Sequence, residues 1–324
     1  MAYNSLTART DVAALIPEDV STEIIQNAVQ RSAVMQLARR LPNMSTAQRR
    51  MPVLTGLVSA YFVNGDTGLK QTTQAAWGNK YINAEELAVI VPIPEAVLDD
   101  TSYDVWGEIR PRIEEAFGAK FDEAVLFGGT GTPDDWPDPI LTGATSASQT
   151  VTLGTGDDLY EDIMGVGGVI AKVEEDGYMV SGHVAALSMR AKLRGLREQV
   201  YDGTNMLNIG RPLFQSSMQD KARYDLDGSP VYFPRNGAFD ASQALMFSGD
   251  WDQLVWSVRT DITYKILTES VIQDAAGNIL YNLAQQDMVA LRAVMRLGWQ
   301  LPNPINKVNT NDATRYPFSV LVPA

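Results

Sequence analysis

The sequence predicts an α+β fold, and three observations carry the prediction. Between Pro111 and Phe127, apolar residues recur at three- and four-residue spacing, the period of a helix packed along one face. In "MVALRAVMRLGWQL", Val289, Leu291, Ala293, Met295, Leu297 and Trp299 alternate with Arg292 and Arg296, the period of a half-buried strand. Helical and strand-like blocks also succeed one another along the chain with an antiparallel flavour. At 324 residues the chain slightly exceeds what one core usually serves, so two lobes are expected.

From the N-terminus, the first sixteen residues are small and polar without sustained periodicity, which predicts an arm. A helix is expected from Pro17, with Glu18 and Asp19 at the positive end of its dipole and Ile24, Ile25, Ala28 and Val29 on one face. "RRLPNMSTAQRRMPVL" breaks it and brings Arg39, Arg40, Arg49 and Arg50 close together. The β-like runs 51–63 and 81–94 enclose a polar stretch that opens on Asn64-Gly65, a turn signal, so they predict a long hairpin. A two-stranded hairpin is marginal alone in water. Nothing nearby in the sequence offers it a seat.

The helix of 111–127 spans about 25 Å, and Pro111 either kinks it or stands near its start. Trp106, Ile109, Ile113, Phe117, Phe121 and Ala124 form its apolar stripe. Gly128 and Gly129 then fall where a C-terminal glycine cap belongs. A phosphate loop requires strand, glycines, then helix, together with a lysine, and no lysine occurs between Lys120 and Lys172. The second glycine cluster, Gly165–Gly168, lies within an apparent helical repeat of Leu159, Ile163, Val166, Ile170 and Val173; close packing is the expected reason for its glycines. "HVAALSMRAKLRGLRE" reads as a short strand and a basic helix; "GSPVYFPR" and "ALMFSGDWDQLVWSVRTDITYKILTES" read as strands.

Composition excludes several classes. The absence of cysteine removes disulfides and thiolate chemistry and fits a reducing compartment. No apolar run reaches the ~18 residues of a membrane span, and the start lacks the pattern of a signal peptide. The net charge of −13 argues against a protein that grips phosphate backbones. Residues 1–51 carry six arginines against four acids, leaving −15 on the rest. His183 is the sole histidine, so His-rich zinc sites are ruled out; a pairing with Ser181 or Ser188 stays open, although G-x-S-x-G is missing. Adjacent acid pairs such as Asp134-Asp135 do not face one another and read as solvated faces. No catalytic constellation, cofactor site or metal site is expected.

The order of parts resembles the major capsid proteins of tailed bacteriophages, with the Hong Kong 97-type fold. Three places carry the resemblance: the long-helix end (Asp122, then Leu126 to Gly131), "FSGDW" (Phe247–Trp251), and "VALRAVMRLGWQLPNP". It implies an N-terminal arm and helix (1–36), a first segment of the peripheral or P-domain (37–50), an E-loop hairpin (51–94), the P-domain with its spine helix (95–142), an axial or A-domain (143–270), closing P-domain strands (271–302) and a return to the A-domain (303–324).

The implied function is structural: self-assembly into pentamers and hexamers of an icosahedral virion shell around double-stranded DNA, built in the host cytoplasm without enzymatic activity. The hairpin then finds its partner in another copy, and acidic walls repel the genome they enclose. Lys70, Trp77, Lys80, Arg39, Arg40, Arg49 and Arg50 are the candidate inter-subunit contacts. Some members crosslink an E-loop lysine to an asparagine. Here Lys70 and Lys80 face the candidates Asn303, Asn306, Asn309 and Asn311, but no catalytic glutamate stands out, and the uncrosslinked state is favoured. The helix from Pro17 leaves no room for a fused scaffolding region, so a separate scaffold and a portal are the expected partners, and binding of a decoration protein is left open. The alternatives are an encapsulin-like compartment shell and a soluble nucleotide- or sugar-phosphate-using enzyme.

Overall fold

The computed structural model describes residues 31–63, 68–100, 104–196, 200–201, 206–207 and 224–324. The expected arm, the helix from Pro17 and the Asn64-Gly65 turn lie outside them. The described chain begins with α1 (Ala33–Leu37), β1 (Arg39–Arg40), β2 (Gln48–Gly56), β3 (Ala76–Asn83) and β4 (Glu85–Pro94). Helices α2 (Glu95–Asp100), α3 (Val105–Leu126) and α4 (Ile140–Ser146) follow, then β5 (Thr150–Thr152), α5 (Leu159–Met164), α6 (Val169–Glu175), β6 (Gly182–Ala185) and α7 (Met189–Gly195). Short strands β7 (Val200–Tyr201), β8 (Met206–Leu207), β9 (Asp225–Leu226), β10 (Ser229–Tyr232) and β11 (Met246–Gly249) lead into the long strand β12 (Val255–Leu267). A hairpin of β13 (Val271–Gln273) and β14 (Ile279–Asn282), the long strand β15 (Met288–Gln300) and β16 (Phe318–Val322) complete it.

Two sheets organise the molecule. One has the order β1-β12-β15-β4, antiparallel apart from the parallel β1–β12 edge. The other has the order β5-β16-β11-β6-β10-β9, with β16 from the chain's end between β5 and β11. Helix α3 lies on the first sheet: Ile113, Phe117 and Phe121 join Val258, Leu291, Ala293, Leu297 and Trp299 in one core. That core continues to Phe247 and Phe318 of the second sheet. A second cluster, built on Ile163, Ile170, Met189, Leu193 and Met246, fills the space beside the six-stranded sheet.

The long helix starts earlier than its periodicity alone requires. Asp104 caps it by accepting from Gly107 N at 3.0 Å, and the helix runs through Pro111. It ends as expected: Gly128, at φ +73°, donates to the carbonyls of Glu123 and Ala124. This left-handed conformation suits glycine and closes the helix. The second glycine cluster behaves differently from the expectation of one continuous helix. The chain breaks into α5 and α6, Gly167 turns at φ +79°, and Val166 is fully exposed rather than packed. A side chain at Gly165 or Gly168 would strike the carbonyl of Glu161, so the tight packing is against the preceding turn.

The strand readings also shift. The first run forms a strand only from Gln48 to Gly56, and 57–63 is irregular. The second run divides at Ala84: 81–83 stay in the hairpin, whereas β4 pairs along its length with β15. Local alternation continues across Ala84, so only the long-range pairing reveals the division. β12 likewise joins β15 rather than the six-stranded sheet, which moves the expected boundary at 270 back to about Leu254.

One buried acid ties the chain's described start to the spine helix. Asp122 is fully buried and accepts from Ser32 Oγ (2.5 Å), Ala33 N (3.0 Å), Val34 N (3.1 Å) and Asn236 Nδ2 (3.3 Å). Burial pushes its carboxyl above the ordinary value, and these four donors oppose that rise. Gly118, one turn earlier, lets Ser32 pass close to the helix. Asp122→Ala strands the Ser32 hydroxyl and two helix-start amides, each a buried donor. It is expected to lower the stability of unassembled subunits by about 3 kcal/mol in urea melts, with α-helical signal otherwise retained.

Candidate inter-subunit surfaces

The β2–β3 hairpin has a firm base and a bare outer half. At the base, Ile82 is buried with Met44 and Val255. Trp136 Nε1 donates to Asn83 O at 3.1 Å and Gln300 Nε2 to Tyr81 O at 2.7 Å; farther along the ladder, Ile305 N donates to Leu54 O at 3.1 Å. Gly298 makes the crossing possible, since a Cβ there would stand 2.1 Å from Asn83 O. The expectation that the hairpin lacks any seat in its own subunit is therefore corrected for its base: β15, Trp136 and the 300–305 segment supply one. These partners are over 50 residues away in sequence, beyond the reach of a local pattern.

Farther out the chain holds mainly to itself. Ser59 N donates to Thr73 Oγ1 at 3.0 Å and Tyr61 OH to Gln71 O at 2.9 Å. Val58, Phe62, Val63 and Leu69 are exposed there, with Phe62 wholly in solvent. Trp77, read from the sequence as part of the polar tip, sits instead within β3 opposite Leu54, and it is 70% exposed. Lys70 and Lys80 are exposed as well.

Two of the four arginines, Arg40 and Arg49, meet at the turn of Pro42 and Asn43. Arg49 braces it, donating to Pro42 O at 2.8 Å and Asn43 O at 3.0 Å. Arg40 donates to Asn43 Oδ1 and lies 5.3 Å over the Trp256 ring. Arg39 continues β1, and Arg50 faces Lys80's neighbour Tyr81 across the hairpin. Among the described residues, none of the four forms an ion pair.

The asparagines near the closing strand are occupied within the subunit. Asn303 accepts from Tyr178 OH (2.7 Å) and from the buried Arg315, while donating to Arg315 O. Asn306 and Asn309 donate to Asp176, and Asn311 accepts from Ala313 N. Asp176 also receives Gln149 and Tyr316 N. This network, invisible as a sequence motif, folds the 303–316 segment onto the end of α6.

His183 is sealed in the six-stranded sheet. Its Nδ1 lies 2.7 Å from Ser248 Oγ and its Nε2 3.3 Å from Leu226 O. The partner is Ser248, on the adjacent strand β11, in place of Ser181 or Ser188. With both ring nitrogens engaged and no solvent access, the imidazole serves the sheet. Among the described residues, no cluster of three His, Cys, Asp or Glu is arranged to hold a metal, and no helix is long and apolar enough to cross a membrane.

A spine helix on a long-stranded sheet, a second domain-like sheet and a hairpin reaching beyond its own core define a subunit with the Hong Kong 97-type fold, a shell-forming class. A sequence profile of the phage capsid family matches residues 12–308, and the chain belongs to that family. The major capsid protein of Staphylococcus phage 80alpha is 27% identical over 282 residues, covering 86% of this chain and 79% of that one. A solved structure from Microbacterium phage Oxtober96 superposes with a TM-score of 0.82 at 33% identity, covering 99% of this chain and 100% of the other. One from Mycobacterium phage Adephagia does so at 0.79 and 29%, covering 99% of each. The chain is a structural shell protein of a phage capsid.

Burial pulls the His183 imidazole from its ordinary 6.5 down to about 4. Between those values the unfolded chain takes up a proton that the folded chain refuses, so stability falls with falling pH. The contribution is complete above pH 6.5 and is lost down to about pH 4, on the order of 3 kcal/mol. Urea melts at pH 7.5 and 4.5 are expected to show this loss, and His183→Gln to flatten the slope by that amount.

Proposed function

We propose that the chain builds pentamers and hexamers of an icosahedral shell around packaged double-stranded DNA, and that the hairpin's outer half engages a neighbouring copy. The observation that carries this is the hairpin itself. Its base is clamped while Phe62, Leu69 and Trp77 project from the subunit without a core to receive them. Exposed apolar groups concentrated on one projection mark a binding surface. In this reading the α3 sheet is the P-domain, the six-stranded sheet the A-domain, and β2–β3 the E-loop.

Assembly takes place in the host cytoplasm with a separate scaffold and a portal, and the shell role is without catalysis. The sealed His183 and the helix-ending role of Gly128 support the last point. Occupation of Asn303, Asn306, Asn309 and Asn311 within the subunit supports a shell without lysine–asparagine crosslinks. Lys70, Lys80, Arg39 and Arg50 remain inter-subunit candidates, whereas Arg49 spends its donors on its own turn. The excess of acid over base suits a wall that repels phosphates. An encapsulin-like shell is the alternative, distinguished by enclosed protein in place of nucleic acid in purified particles.

Trp77→Ala tests the hairpin reading. Truncating an interface tryptophan costs about 2 kcal/mol or more, and the loss recurs at every copy. Particles seen by electron microscopy should give way to free subunits or capsomers, with the melting temperature of unassembled protein unchanged. A lowered melt with normal assembly of the surviving fraction would place Trp77 within its own subunit and defeat the reading.

A further inference from the structure

The face of the four-stranded sheet turned away from α3 carries an unusual row. Lys265 on β12 and Arg292 on β15 stand directly opposite each other, with Ile90 of β4 next in line. All three are exposed. Like charges facing across adjacent strands destabilise a sheet. Four residues along β15, Arg296 is partnered by Glu86, its Nε 2.8 Å from the carboxylate. Lys265 and Arg292 have no such acid among the described residues.

A matching acidic pair lies at the end of β4. Helix α2 presents Glu95 and Asp99, one turn apart, both exposed and without an ion-pair partner among the described residues. Like charges at this spacing repel, and their Cβ atoms stand about 5–6 Å apart. The cross-strand cations are spaced about 5 Å apart, so the two pairs fit two-on-two. They do not meet within one subunit. Ile90 and Glu95 are five residues apart on an extended strand, about 16 Å, and α2 continues beyond that.

We propose that Lys265 and Arg292 of one subunit receive Glu95 and Asp99 of a second copy, a contact made by the sheet face and independent of the hairpin. Each pair is repulsive alone, and the repulsion is relieved only when the two surfaces meet. An acidic helix is the occupant because the body carries the excess of acid and because the shell supplies further copies of this chain. Charge-assisted pairs in a recess between subunits steer association and reject misplaced neighbours.

The inference rests on assembly into a shell, which wild-type particles establish separately in the same experiment. The double reversals Lys265→Glu/Arg292→Glu and Glu95→Lys/Asp99→Lys are each expected to cut particle yield by about tenfold or more. Both should leave circular dichroism and the melt of unassembled subunits near wild type. The quadruple variant, with charges exchanged, restores yield. The neutral pair Lys265→Gln/Arg292→Gln should lose part of the yield and remove its salt dependence, and it keeps the test sound if a reversal variant folds poorly. Normal assembly of either double reversal, or failure of the folded quadruple variant to recover, overturns the pairing.

Discussion

The seating of α3 on the long-stranded sheet is the constraint on which the rest of the molecule depends. Phe117 and Phe121 reach into a floor made by β12 and β15, while Asp122, on the next position, turns toward α1. A buried carboxylate without a cation is costly unless its oxygens are fully engaged. Here it is engaged by the hydroxyl and amides at the start of α1, so the beginning of the described chain is fastened to its longest helix. Ser32 serves both ends of this arrangement, donating to Asp122 and accepting from Met35 N. The core on that side and the polar fastening on the other hold one helix from two directions.

From this frame the two sheets acquire different tasks. The six-stranded sheet is closed by the chain's last strand, with Val320, Leu321 and Phe318 buried between β5 and β11. Its polar members, His183 and Ser248, satisfy each other across adjacent strands. The four-stranded sheet is covered by α3 on one face, and on the other only where the hairpin base and Pro42 cross Gly298 and Ser257. Interior polar groups in the first are spent internally; in the second, polar and apolar groups are left facing outward. That division is what a building block needs: one region self-sufficient, another incomplete.

Much of this was legible in the sequence wherever a local period reflects burial. Ile113, Phe117 and Phe121 on the helix, and Leu291 to Trp299 on β15, fall where their spacing places them. Gly128 closes the helix through a conformation that glycine favours. Elsewhere the deciding interaction is distant. β4 leaves the hairpin because β15, some 200 residues later, pairs with it, and the alternation of 81–94 reads the same either way. Val166 keeps the helical beat of its neighbours, yet Gly165 and Gly167 turn the chain and put it in solvent. Asp122 looks like any polar helix position until Ser32 arrives from outside the helix. Of the surface residues, Trp77 stood out for lack of apolar company, whereas Lys265 and Arg292 become neighbours only through strand register.

The absence of a side chain at Gly298 has a geometric consequence. There the hairpin base crosses β15 so closely that even a methyl group would collide with Asn83 O. The crossing pins the hairpin base to β15, and Ile305 N holds Leu54 O farther along, so only the chain beyond Leu54 and Trp77 extends without a clamp from its own subunit. In a closed surface tiled from one repeated piece, angular errors at a joint accumulate as curvature. Gly298 thus fixes the direction in which the hairpin leaves its own subunit.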